Sequence, residues 1–265
     1  MPTAPLITLL TDFGADSPYV GAMKGALYSL NPAARVVDLT HSVPHQDVRC
    51  GAWTWEETVP HFPRGTVHVG VVDPGVGTSR RLVAAVIDDS IFLCPDNGLL
   101  GRLVLRRPPS TIVALEAKEY WSPQVSHTFH GRDILAPVAA RLSLGLEVTK
   151  LGPPVDRLCE ISWPEVVVMP GKIEGTIRSI DSFGNLISDI PADKLTNVPT
   201  DPEKVRICCD EHETQGIFQT YGEQPPMTLL ALVGSSGYLE LAIVEDNASL
   251  MLGIRAGTKI VVQWS

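Results

Sequence analysis

Between residues 6 and 72 the sequence alternates short apolar runs with stretches of helical spacing, and this alternation most narrows the possible folds. Leu6-Ile7-Thr8-Leu9-Leu10 reads as a buried strand. Val20, Met23, Ala26, Leu27 and Leu30 then recur at helical spacing over residues 19–30, and Asn31-Pro32 ends that element. A strand over 35–39 follows, then a helix over 48–58 with Asp47 as its N-cap, and a strand over 66–72 after Pro60 and Pro63. Strand, helix, strand, helix, strand implies a largely parallel sheet with helices on its faces.

Residues 82–87 and 91–93 predict two further strands around Asp88-Asp89-Ser90, Asp96-Asn97-Gly98 opens a short helix through residue 105, and 112–115 is a weaker strand. Ile134, Val138, Ala139 and Leu142 have helical spacing, but Pro137 inside a helix loses a hydrogen bond and clashes with the preceding turn. The conflict resolves if the regular helix starts near Ala136, with Pro137 in its first turn and His130 on an irregular approach. Beyond Gly152-Pro153-Pro154 helical periodicity fades, and β-rich segments occur at 166–169, 175–180, 205–208, 229–233, 238–244 and 259–264. The expected architecture is an α/β domain over residues 1–163 and an all-β domain over 164–265.

Lys and Arg number 21 against 30 Asp and Glu, so a net charge of −9 argues against a surface built to hold nucleic acid. No window has the apolar length of a membrane span, and Met1-Pro2-Thr3-Ala4-Pro5 lacks the basic start of a secretory signal, so a cytoplasmic protein with no membrane partner is expected. Cys50, Cys94, Cys159, Cys208 and Cys209 show no Cys-x-x-Cys spacing, which suggests free thiols rather than a zinc site or disulfide framework.

The chemistry concentrates in Val71-Val72-Asp73-Pro74-Gly75-Val76-Gly77-Thr78-Ser79-Arg80 and in Thr128-Phe129-His130-Gly131-Arg132-Asp133. Asp73 ends a β-branched run, at the sheet edge where open α/β folds bind ligands. Gly75 and Gly77 let the chain turn Arg80 back toward Asp73, either as a structural ion pair or as part of a site containing His130. Asp12 follows the first strand and suits either a sugar diol or a turn cap. Neither Gly-x-Gly-x-x-Gly nor Gly-x-Ser-x-Gly is completed. His41, His45, Asp47, His68 and His130 are metal-type donors without a tight ligand motif, so no metal is expected.

In the second domain Asp181-Ser182-Phe183-Gly184-Asn185 places an acid, an aromatic ring and an amide at a turn. Asn185 could read an adenine edge or simply sit beside Gly in the turn. Gly234-Ser235-Ser236-Gly237 is either a tight turn or a nest of backbone donors for a carboxylate.

Taken in order, Thr11-Asp12-Phe13-Gly14, Asp38-Leu39-Thr40-His41, Val72-Asp73-Pro74-Gly75-Val76-Gly77-Thr78, Pro95-Asp96-Asn97-Gly98, Phe129-His130-Gly131-Arg132-Asp133, Phe183-Gly184-Asn185 and Ser235-Ser236-Gly237-Tyr238 resemble the S-adenosylmethionine hydroxide adenosyltransferase family, relatives of fluorinating and chlorinating enzymes. The resemblance implies an N-terminal α/β domain, a C-terminal barrel-like β domain and a homotrimer with active sites shared between neighbouring subunits. It also implies hydrolysis of S-adenosyl-L-methionine to adenosine and L-methionine without a cofactor. At matching positions Asp73, Arg80 and His130 resemble the triad that holds the attacking water, and Asp12 the acid gripping the ribose diol. Phe183, Asn185 and Tyr221 match adenine contacts, and Asp181 a ligand of the methionine amine. Ser235 and Ser236 lie where the carboxylate is held, and Glu240 and Ala248 complete the substrate-binding set. Ser236 and Gln46 stand where halogenating relatives use arginine and tryptophan.

Displacement of methionine from a sulfonium releases a neutral thioether, so activating the water is the difficult step. One cation at ~4 Å with an effective dielectric of ~20 contributes about 4 kcal/mol, or roughly 3 pKa units, against a bulk water pKa of about 15.7. Proton removal coupled to attack is therefore expected, with Arg80 stabilising negative charge and either Asp73 or neutral His130 accepting the proton. The alternatives are a sensor that binds S-adenosylmethionine or adenosine without turnover, a halide-using adenosyltransferase, and a metal-dependent phosphoesterase.

Overall fold

The first strands are apolar enough to be covered on both faces, and the computed structural model, which describes residues 6–265, places them at the centre of a six-stranded sheet. Its strands are β1 (Leu6–Thr11), β2 (Arg35–Thr40), β3 (Val67–Val71), β4 (Leu82–Ile87), β5 (Ser90–Pro95) and β6 (Thr111–Ala114), ordered β2-β1-β3-β5-β4-β6. β2, β1, β3 and β5 run parallel, while β4 is antiparallel to β5 and β6. The β4–β5 hairpin turns through Asp88 and Asp89 with φ of 48° and 67°, left-handed backbone typical of a two-residue hairpin loop.

Alternation along β1 divides the core. Ile7 and Leu9 join Met23 and Leu27 of α1 (Pro18–Leu30) and Val138 and Leu142 of α4 (Ala136–Ser143) on one face. Leu10 joins Trp55 of α2 (Val48–Thr58) and Leu103 of α3 (Gly101–Arg106) on the other. Asp47 caps α2 by accepting from Cys50 N at 2.9 Å, as the sequence predicts. α3 starts at Gly101, later than the turn Asp96-Asn97-Gly98 predicted to open it.

Pro137 sits in the first turn of α4, and the preceding residues Gly131–Leu135 form a π-helical turn in which Ala136 N donates to Gly131 O. Pro137 has no N–H to give the carbonyl of Asp133, which accepts from Ser122 N at 2.8 Å instead. His130 lies immediately before this turn, on the irregular approach that the proline demands.

The chain divides into two compact units, Met1–Ile161 and Ser162–Ser265. The second contains β7 (Val167–Met169), β8 (Lys172–Ile180), β9 (Leu186–Pro191), β10 (Val205–Cys209), β11 (His212–Gln215), β12 (Leu229–Val233), β13 (Tyr238–Ile243), α5 (Ala248–Leu252) and β14 (Lys259–Trp264). The sheet is antiparallel in the order β11-β10-β14-β8-β9-β13-β12, with β7 beside β8. Its ends approach each other where Phe218 N donates to Ala231 O and Thr214 Oγ1 to Leu229 O, both at 2.8 Å, so the sheet nearly closes as a barrel around Ile173, Ile177, Leu239, Leu241 and Ile260.

β9, β11 and α5 are absent from the sequence reading. Buried Ser188 and Asp189 interrupt the apolar pattern of β9. Ser188 Oγ donates to Leu239 O at 2.6 Å, and Asp189 accepts from Thr176 N and Oγ1 at 2.7 Å, so both polar groups are satisfied inside the barrel. All five cysteines are free thiols. Among the described residues no helix is long and apolar enough to cross a membrane. Met1-Pro2-Thr3-Ala4-Pro5, read above as lacking a signal, lies outside the described residues.

Candidate active site

Asp12 and Asp73 leave the carboxyl ends of neighbouring parallel strands, β1 and β3, where Thr11 and Val71 are register partners. Asn97 Nδ2 donates to Val72 O at 2.8 Å and so fixes the backbone just before Asp73. After Asp73 the chain turns tightly: Val76 N donates to Asp73 O at 3.2 Å and Thr78 Oγ1 to Gly75 O at 2.7 Å. Gly77 has φ of +79°, and a Cβ there would lie 2.4 Å from His127 O. Close approach of these two loops therefore depends on glycine.

That approach assembles the triad. Arg80 Nε donates to Asp73 Oδ1 at 2.8 Å and Oδ2 at 2.9 Å, its Nη2 also reaches Oδ2, and the same Nη2 lies 2.9 Å from His130 Nδ1. The Asp73 and Arg80 side chains are only 6% and 11% exposed, so the pair is little screened by water. Burial and the neighbouring Arg80 cation hold the His130 pKa below the usual histidine value, against the opposing pull of Asp73 and Asp133. A guanidinium can only donate, so His130 Nδ1 is the acceptor and neutral His130 carries its proton on Nε2.

The next residue, Arg81, pairs with Asp96 through Nε at 3.0 Å and Nη2 at 2.6 Å, and Asp96 Oδ1 accepts from Cys159 N at 2.6 Å. The Pro95-Asp96-Asn97-Gly98 motif thus steadies both ends of the triad loop. Asp12 Oδ2 accepts from Gln46 N at 2.8 Å, with Gln46 at φ of +64°. Thr11 Oγ1 is 2.9 Å from His41 Nδ1, and His41 Nε2 is 3.1 Å from Asp38 Oδ1, so the Asp38-Leu39-Thr40-His41 motif braces the loop carrying Asp12.

Phe13, Tyr19 and Phe129 form an edge-to-face cluster with centroid separations of 5.2 to 6.0 Å, joining the Asp12 loop to the approach to His130. The sequence reading assigns these rings no role, although Phe13 follows Asp12 and Phe129 precedes His130. Aromatic residues adjoining both polar site residues were the available signal.

In the second unit Asp181 Oδ1 accepts from Phe183 N and Asn185 N, both at 2.9 Å, and Oδ2 from Asn185 Nδ2 at 3.0 Å. The carboxylate thereby organises the turn that leaves Phe183 76% exposed and Asn185 buried. A Cβ on Gly184 would fall 2.1 Å from the side chain of Asn247, so this residue, which caps α5 just before fully buried Ala248, packs on the turn only because residue 184 is glycine. Tyr221 Oη donates to Glu240 Oε1 at 2.6 Å. Burial raises the Glu240 pKa, and nearby Asp181 adds to it against the Tyr221 hydrogen bond. Ser235 and Ser236 occupy the β12–β13 turn, which Gly234 N closes by donating to Tyr238 O at 2.9 Å.

The metal-type donors do not converge. His68 is fully buried beside Thr8, His41 faces Thr11 and Asp38, Asp47 caps α2, and His130 faces Arg80. Among the described residues no three His, Cys, Asp or Glu side chains stand close enough to hold a metal ion.

The SAM hydroxide adenosyltransferase N-terminal domain matches residues 7–152, and the C-terminal domain of the same family matches residues 175–261. The chain is 36% identical to a (R)-S-adenosyl-L-methionine hydrolase from Salinispora tropica, with 99% of each chain covered. It is equally identical to one from Thermus thermophilus, over 96% of this chain and 98% of the relative. A fluorinase from Actinopolyspora mzabensis is 26% identical over 97% of each. The crystal structure of an uncharacterized conserved protein from Thermotoga maritima superposes with a TM-score of 0.93 at 33% identity, covering 97% of this chain and 100% of that one. Both halves of the chain thus match in order and over nearly their whole length, and the chain belongs to the SAM hydroxide adenosyltransferase family.

Proposed function

We propose that this protein hydrolyses S-adenosyl-L-methionine to adenosine and L-methionine by attack of water at ribose C5′. The observation that carries this reading is the buried guanidinium of Arg80 shared between Asp73 and His130. An ordinary loop ion pair has no use for a neutral imidazole on the terminal nitrogen it already shares with the carboxylate, whereas a water clamp needs donors and an acceptor together. With Nδ1 engaged by Arg80, His130 presents Nε2–H to the water oxygen and cannot take its proton there. Asp73 is the remaining base, and Arg80 stabilises the charge that develops as its proton transfer and C–O bond formation proceed.

Methionine departs as a neutral thioether, so the leaving group requires neither acid nor cofactor. The Asp73 carboxylate also disfavours halide at the nucleophile position, because it would repel an anion in a little-screened site. Asp12, oriented by Gln46 N, suits the ribose diol. Exposed Phe183 with Asn185 and Tyr221 suits adenine, while Asp181, Glu240, Ser235 and Ser236 offer the polar groups for the methionine end. The relatives' name specifies the R configuration at sulfur, and we assign the same epimer to this chain. The homotrimer implied by the resemblance is part of this reading, and light scattering of the purified protein tests it.

The decisive assay incubates purified protein with each sulfonium epimer, with and without chloride, and separates the nucleosides by chromatography. Adenosine and methionine in equal amounts, faster from the R epimer, are the expected products. A halogenated nucleoside as main product would overturn the water assignment, and binding without turnover would favour a sensor.

A further inference from the structure

A cavity of about 250 Å³ is lined by Arg80 and His130 of the triad and by none of the residues assigned above to the substrate. Its floor is apolar and buried, formed by Leu82, Leu115 and Ile134, while exposed Ser79 and half-buried Trp121 stand at its rim. At about 30 Å³ per molecule it has room for roughly eight waters, and it is smaller than the roughly 300–1,000 Å³ of pockets that take drug-sized ligands.

We propose that this cavity is the reservoir and entry path of the nucleophile, admitting water and other small neutral hydroxylic molecules to Arg80 and His130. The inference rests on the hydrolytic reading above. In-line substitution puts the nucleophile on the face of C5′ opposite the departing sulfur, so a bound substrate blocks the approach from its own side. Each turnover consumes one water, and access past Arg80 and His130 lets the nucleophile reach the triad after the substrate has bound.

Methanol tests this route because it labels the nucleophile. Its oxygen bonds to C5′ and the C5′–S bond breaks, with the electron pair passing to sulfur. Neutral methionine leaves, and the hydroxyl proton passes to Asp73 and on to solvent. The product is 5′-O-methyladenosine, formed in competition with adenosine. The ratio of the two is internal to each sample and does not depend on how much protein is active.

Trp121→Ala widens the rim and is expected to raise the share of methyl ether at fixed methanol by about threefold or more. Ser79→Trp, on an exposed loop, is expected to lower that share and to reduce kcat for adenosine by roughly 5–10-fold with KM unchanged. A product ratio unmoved by Ser79→Trp, with full kcat, would overturn the proposal, as would a Trp121→Ala protein that hydrolyses substrate yet forms no more ether than the parent. Failure of the hydrolytic reading is distinguishable, since the parent protein would then form no adenosine in water alone.

Discussion

Nη2 of Arg80 lies 2.9 Å from Nδ1 of His130, fifty residues further along the chain, while Nε of the same guanidinium grips the Asp73 carboxylate. A planar, permanently charged fork can hold an acid on its Nε–Nη2 edge and turn the other N–H of Nη2 to an imidazole. A lysine ammonium lacks that rigid geometry.

Arg80→Lys keeps the charge and loses the fork. Its kcat for S-adenosylmethionine hydrolysis is expected to fall by about 10²-fold or more, with substrate affinity changed by less than about threefold. Steady-state kinetics together with calorimetric binding separates the two effects, and a Lys variant of near-parental kcat would refute the fork argument.

The pH profile follows from His130. Protonation of Nδ1 would set an imidazolium against the Arg80 guanidinium, and burial and Arg80 hold the pKa below its ordinary 6.5. Activity is therefore present above that pKa and lost as pH falls through it. The acid limb of kcat/KM is expected to have its midpoint below 6.5, and a midpoint above 7 would show that a His130 held below its ordinary pKa is not the titrating group.

Gly77→Ala tests whether loop approach, rather than loop composition, builds the triad. The added Cβ meets His127 O at 2.4 Å from a backbone already in the left-handed region, so the two loops must part. Hydrolysis is expected to drop by about tenfold or more, because small displacements at a reacting site are costly. Thermal unfolding followed by circular dichroism should show the fold retained.

His68 predicts an acid weakness away from the site. It is fully buried between Thr8 Oγ1, at 2.8 Å from Nδ1, and the Phe92 ring, and burial lowers its pKa to about 4. The unfolded chain protonates His68 near 6.5 and the folded chain only near 4, so the unfolded state binds more protons between these values. Stability falls as pH drops through that window, by up to about 3 kcal/mol from this group. Denaturant titrations at pH 7 and 4.5 measure the loss, and His68→Gln should reduce it.

Much of the first unit was legible because its signals are local. The apolar runs of β1 and β3, the Asp47 cap and the conflict at Pro137 each follow from a few adjacent residues, and Pro137 even announced the irregular segment before α4. β9 was hidden because Ser188 and Asp189 are polar, and their partners Leu239 and Thr176 lie on other strands. α5 was hidden because a five-residue helix carries too little periodicity to read.

By itself, the sequence determined the alternation that makes a parallel sheet, the change to an all-β second half, and the ordered motifs that mark the family. It left Asp73 and Arg80 as compatible with a structural ion pair as with a site. Only tertiary structure decided that His130 shares the Arg80 guanidinium, and therefore which of its nitrogens carries the proton. The reason is physical: a hydrogen bond across fifty residues depends on how two loops meet, and that meeting is governed by Gly77 against His127 and by the π-helical turn that Pro137 imposes.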